Sequence, residues 1–263
     1  MGMKDERVQD KPIIGMQMYS LRDEAEIDFL GTLEKVAEIG YKAVELTGFF
    51  NVPAKELKNK LKILGLSAPS AHIPLNFNDM PNMLSEFSAQ LEYAKEVGFD
   101  FIITPWAPLP EEPLMDDVKH LVDVFTKCGL KVKEMGMKYG FHNHEDEFKL
   151  IEGKTVLEHL MEQMPKELMT LELDLGWVHM AGYEPDLYIH KFKDRIKLIH
   201  AKDFTDGRKD IEVGRGKVGY DKLIRTADSA GIAYIFVEQE QFEVNSLESA
   251  RVNFDYFRKL GYV

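Results

Sequence analysis

One cysteine, Cys128, stands in 263 residues, so no intrachain disulfide can form, and its place in the apolar stretch VDVFTKCGLKV reads as a buried helix position. Cysteine content therefore does not identify the compartment. No apolar run approaches the roughly 20 residues of a membrane-spanning helix, so none is expected and no membrane partner follows. Excess positive charge is missing too: 33 Lys and Arg face 45 Asp and Glu, a formal charge of -12. Nucleic-acid backbones are held by clustered cations, so this balance points away from nucleic acid and toward a small-molecule partner. There is no P-loop to support a doubly wound nucleotide-binding sheet. The opening MGMKDERVQDKP is polar and lacks the apolar core of a secretory signal. It reads as a disordered tail over residues 1–11 before a single domain over 12–263. Cytoplasmic is the expected location, with an exported origin left open should Met-Gly-Met stand where a leader was removed.

Eight runs have the composition of buried strands: PIIGMQMY, YKAVEL, SAPSAH, DFIITPW, YGFHNH, TLELD, IKLIHA and AYIFVE. Helical patterns separate them, as in Leu84, Phe87, Leu91 and Ala94, which recur every three or four positions and form one apolar face. Six of the eight helix candidates end in glycine (Gly40, Gly65, Gly98, Gly136, Gly231 and Gly261), the residue that turns a helix end back toward the next strand. Eight strand and helix alternations in a chain close to the roughly 250 residues of one barrel predict a (β/α)8 TIM barrel, α/β in class.

Four of these runs end in residues that bind metals. His142, Asp174, His200 and Glu238 are separated by 32, 26 and 38 residues, each gap about one strand, one helix and two loops. In a parallel barrel the carboxyl ends of the strands meet at one mouth, so these four are expected to converge on one divalent ion: Mn, Co, Zn or Mg. On strand five, His142 and His144 share a face by alternation, and Glu147 in the following loop is a second candidate, as a base or as an alternative ligand. Lys202 lies two residues past His200 and can hold a substrate hydroxyl or a developing oxyanion, or else pair with Asp203 or Glu238. His72 ends strand three. Trp106 and Trp177 follow strand ends, where aromatic rings stack on sugars. VGRGKVGY (213–220) has amides able to hold a phosphate or carboxylate, although a turn into the next helix is the simpler reading.

With these residues in view, the chain resembles the sugar phosphate isomerase/epimerase superfamily of xylose isomerase-like barrels. The resemblance runs through IGMQMYSLRDE, GYKAVEL, FHNHEDEF, LELDLGWVHMAGYEP, IHAKDF, VGRGKVGY and FVEQEQF. It implies a metal set of Glu, Asp, His and Glu on strands five to eight, which maps here to Asp174, His200 and Glu238. His142 stands where the first Glu is expected, so that ligand becomes an imidazole or is lost. Where ketose 3-epimerases have a substrate-binding His three residues past the metal Asp, this chain has Trp177, with His179 two further on. The HNH and HAKDF patterns look closer to the inosose dehydratase-like and keto-sugar-processing branches.

The resemblance implies a metal-dependent isomerase, epimerase or dehydratase of a keto-sugar or cyclitol that works through an enediolate. Glu147 or His144 would move the proton, Lys202 would stabilise the oxyanion, and His72, Trp106 and Trp177 would bind substrate. Homo-oligomerisation is compatible with such barrels. Two alternatives share the fold: a barrel that binds sugar without turnover, and an endonuclease IV-like repair enzyme, which the acidic balance disfavours.

Overall fold

The computed structural model describes residues 11–263. The tail expected over 1–11 falls outside them except for Lys11, whose ammonium donates to the Gly261 carbonyl at 3.0 Å. Eight parallel strands close into a barrel: β1 (Ile13–Gln17), β2 (Ala43–Thr47), β3 (Ser67–His72), β4 (Phe101–Thr104), β5 (Lys138–His142), β6 (Thr170–Asp174), β7 (Ile196–Ala201) and β8 (Tyr234–Val237). Each pairs with its sequence neighbours, and β8 returns to β1 through Ile13 opposite Tyr234 and Met16 opposite Val237. Short helical crossovers explain why neighbours in sequence are neighbours in space.

The outer ring consists of α1 (Arg22–Ile39), α2 (Ala54–Leu64), α3 (Met80–Val97), α4 (Met115–Glu134), α5 (Val156–Gln163), α6 (Leu175–Met180), α7 (Pro185–Phe192), α8 (Tyr220–Ser229) and α9 (Ser246–Lys259). Helix α1 carries a break. There Asp28 leaves helical geometry, and its carboxylate accepts from the Gly31 amide at 2.9 Å. On α3 the buried face is Met83, Phe87, Leu91 and Ala94, with Leu84 at its edge. Gly65 and Gly98 end α2 and α3 in the left-handed region, at φ 64° and 101°.

Two apolar zones result. The larger fills the space between barrel and helices, and a smaller one, of Ala43, Phe101, Ile103, Leu198 and Phe236, plugs the barrel interior. Phe236 fits there because Gly15 faces it: a Cβ on Gly15 would lie 2.5 Å from the ring. Above this plug the inward positions turn polar. Gln17, Glu45, His72, His142, Glu172, Asp174 and His200 are all buried, and every one lies on a strand of the barrel.

Candidate metal and substrate site

Strand pairing puts Asp174 opposite His200, and His142 opposite Glu172. Glu238 sits one residue past β8, where its amide donates to the Ala201 carbonyl at 3.0 Å. As a result His142, Asp174, His200 and Glu238 each place a ligand atom within 4.8 Å of the others, all of them buried. His142 Nε2 is 3.5 Å from Asp174 Oδ2 and 3.9 Å from Glu238 Oε2, and His200 Nδ1 is 2.7 Å from Glu238 Oε2.

The orientation of His142 follows from its neighbour. Its Nδ1 lies 3.3 Å from the Pro105 carbonyl, which can only accept, so Nδ1 donates there and Nε2 is turned toward Asp174. Asp174 divides its two oxygens. Oδ1 accepts from the Trp177 amide at 2.9 Å and caps α6, while Oδ2 has no partner among the described residues, and neither does His142 Nε2. Two orphaned, buried donor atoms facing each other, with a further imidazole and carboxylate beside them, suit a divalent cation. Asn143, on the other face of the chain, exchanges hydrogen bonds with the Asp174 backbone at 3.0 and 3.3 Å and locks the two strand ends together.

His144 lies past the end of β5 and lines a cavity of about 350 Å³ together with His72, His142, Trp106, Tyr19 and Glu238. Burial and the neighbouring His142 push its pKa down to about 3, so the imidazole is neutral. Glu147 is fully buried and is not among the cavity-lining residues. Its Oε2 accepts from the His144 amide at 2.7 Å, and burial, opposed by that bond, pushes its pKa up to about 7. Trp106 is half exposed at the mouth. Trp177 packs behind the site instead, its ring 5.6 Å from that of His144 and 5.1 Å from Lys202 Nζ.

Lys202 is buried, and its ammonium pairs with Glu240, with Glu238 at 3.7 Å and Asp210 at 3.9 Å. Burial opposes the charge, but these carboxylates hold its pKa above the ordinary lysine value. Tyr220 fixes its backbone: the Lys202 amide donates to the Tyr220 hydroxyl at 2.8 Å, and that hydroxyl donates to the Lys202 carbonyl at 2.9 Å. Asp203 is not its partner. The Asp203 carboxylate accepts from the amides of Gly214, Gly216, Val218 and Phe204 at 2.8 to 3.1 Å. The glycine-rich 213–220 stretch, which also has the GxGxxG spacing of a dinucleotide fingerprint, thus spends amides on its own chain's carboxylate.

Two residues that strand-end reasoning passed over stand beside the site. Glu45 and Glu172 are fully buried one layer deeper. His72 Nε2 lies 2.7 Å from Glu172 Oε2 and 3.1 Å from Glu45 Oε2, and His200 Nε2 lies 2.6 Å from Glu45 Oε2. Gln17 donates to the same Glu45 oxygen at 2.7 Å. Burial works against a charge on His72, yet the two carboxylates raise its pKa to about 10. The available signal was alternation, since Glu172 shares a face with Asp174 and Glu45 interrupts an apolar strand.

Fold and site define a closed (β/α)8 barrel with a buried His and carboxylate cluster at the carboxyl ends of its strands. The family model described as the xylose isomerase-like TIM barrel matches residues 33–260, and the chain belongs to that family. It is 29% identical over 188 residues to an inosose dehydratase of Geobacillus kaustophilus (strain HTA426), a match covering 65% of this chain and 60% of that protein. An inosose dehydratase of Bacillus cereus (strain AH820) is 23% identical over 262 residues, covering 86% of this chain and 87% of that protein. A solved structure of a sugar phosphate isomerase/epimerase from Parabacteroides distasonis ATCC 8503 superposes with a TM-score of 0.84 at 23% identity, covering 100% of this chain and 98% of the other, a likeness of fold. No helix among the described residues is long and apolar enough to cross a membrane.

Proposed function

We propose that this protein is a divalent-metal-dependent isomerase, epimerase or dehydratase of a keto-sugar or cyclitol, acting through an enediolate of its substrate. The observation that carries the reading is the convergence of His142, Asp174, His200 and Glu238 beside a cavity of about 350 Å³, large enough for one sugar ring. The similarity to inosose dehydratases supports the substrate class. His142, Asp174, His200 and Glu238 would hold the ion. When bound, such an ion supplies positive charge that polarises a carbonyl and lowers the pKa of the adjacent C–H.

The chain's own groups do the rest. His144 lines the cavity and would be the group to take a proton from substrate, with Glu147, bonded to its backbone, as the alternative base. Glu147 holds the His144 backbone and so orients it. Lys202 brings a permanent cation behind Glu238 and Glu240, where it favours negative charge developing at the cavity wall. Trp106 offers an exposed ring to the apolar face of a sugar, with His72 on the cavity wall. Return of the proton to the opposite face gives an epimer, to the neighbouring carbon an isomer, and departure of a β-hydroxyl a dehydrated product. Incubating the metal-loaded protein with a panel of keto-sugars and inososes, with product analysis by NMR, tests the reading. Turnover of one of them by wild type but not by His144→Ala is the expected outcome, and no turnover of any would refute it.

A further inference from the structure

We propose that the barrel interior holds a second divalent cation, one layer below the first group, bound by Glu45, His72, Glu172 and the Nε2 atom of His200. These four residues place ligand atoms within 4.8 Å of one another, and all are buried. The geometry is tighter than that limit. His72 Nε2 lies 2.7 Å from Glu172 Oε2 and 3.1 Å from Glu45 Oε2, while His200 Nε2 lies 2.6 Å from Glu45 Oε2 and 3.4 Å from Glu172 Oε2. Ligands about 2.0–2.1 Å from a tetrahedral ion stand roughly 3.3 Å apart. The 3.1 and 3.4 Å separations already have that spacing, and the 2.6 and 2.7 Å hydrogen bonds would have to open to admit an ion.

Hydrogen bonding alone leaves this cluster incomplete. Glu45 Oε1 and Glu172 Oε1 are buried and have no partner among the described residues. Ala43, Phe101, Ile103, Leu198 and Phe236 of the apolar plug offer neither carboxylate a donor, and the Ser70 hydroxyl, opposite Glu45 in the strand pairing, is itself buried without a partner among the described residues. A cation would satisfy both carboxylates where the plug cannot. Two imidazoles and two carboxylates suit zinc or cobalt better than magnesium.

His200 joins the two sites. Its Nδ1 faces Glu238 of the first group and its Nε2 faces Glu45 of the second, so one ring can serve an ion on each side. His72 lines the cavity and stacks on His200 with ring centres 5.3 Å apart, so one ligand of the second site stands at the cavity wall. Apart from His200, the second site stands on residues the proposed function does not use as ligands.

The test is zinc stoichiometry by mass spectrometry on protein stripped with chelator, reloaded with Zn(II) and desalted. Two ions per chain are expected in wild type, one in Glu172→Gln, and one in Asp174→Ala. A single ion that Glu172→Gln leaves in place overturns the second site. A single ion that Glu172→Gln removes and Asp174→Ala retains supports the second site while refuting the first. Should Glu172→Gln not fold, Zn(II) added to stripped Asp174→Ala protein decides: a rise of several degrees in melting temperature supports the site, and no rise overturns it.

Discussion

His142 Nε2 lies 3.5 Å from Asp174 Oδ2, and neither atom has a hydrogen-bond partner among the described residues. The other Asp174 oxygen caps α6 through the Trp177 amide. Ligation and capping therefore rest on different atoms of one side chain, and two substitutions separate them. In chelator, Asp174→Ala is expected to lose about 1 kcal/mol of stability through the cap, whereas Asp174→Asn stays within about 0.5 kcal/mol of wild type. Both are expected to bind metal far more weakly. Urea denaturation with and without Zn(II) checks each part.

Gly15→Ala is expected to cost about 1–3 kcal/mol, because its new Cβ would lie 2.5 Å from the Phe236 ring inside a closed barrel. Adding Phe236→Leu should recover part of that loss. Chemical denaturation of the two single variants and the double variant measures the coupling.

Glu147 provides a pH signature. Burial, opposed by the His144 amide, raises its pKa from 4.5 to about 7, so the folded chain holds this proton more tightly than the unfolded one. Its contribution is fully present below pH 4.5 and is lost as pH rises through 7, a span worth up to about 3 kcal/mol. Glu147→Gln keeps an acceptor for the His144 amide without the ionisation. Its stability relative to wild type should therefore be greater at pH 8 than at pH 5, by denaturation at both values.

The two tryptophans should part company. Trp106 is 50% exposed at the cavity, so Trp106→Ala is expected to change stability by less than about 0.5 kcal/mol while raising KM by about three- to tenfold. Trp177 packs against His144, Phe204 and Lys202, so Trp177→Ala is expected to destabilise the fold by about 3 kcal/mol. Thermal melts and substrate titrations distinguish the two.

What was readable in the sequence follows strand ends. Asp174, His200 and Glu238 stand where an apolar run stops, a position that alternation and helix spacing locate without a structure. Glu45 and Glu172 lie within short strands, where a lone charge reads as a solvent-facing position; alternation puts Glu172 on the face of Asp174, and closure of the barrel buries both. Six-residue α6 is too short for helical periodicity to register, so the packing of Trp177 against Lys202 was not visible. Lys202 and Asp203 are adjacent in sequence yet serve different networks, since successive residues of an extended chain point to opposite sides. Glu147 was legible as a candidate beside the site, but its service to the His144 backbone depends on the local turn after β5.

Metal-dependent removal of a proton from carbon beside a substrate carbonyl would show itself as solvent exchange. Metal-loaded protein is incubated with keto-sugars and inososes in D2O and followed by proton NMR. Loss of the signal of the hydrogen next to the carbonyl, catalysed by wild type and abolished by chelator and by Asp174→Ala, is the predicted result. Exchange at the uncatalysed rate with every substrate, while the same sugars still raise the melting temperature, would contradict the account and leave a barrel that binds sugar without turning it over.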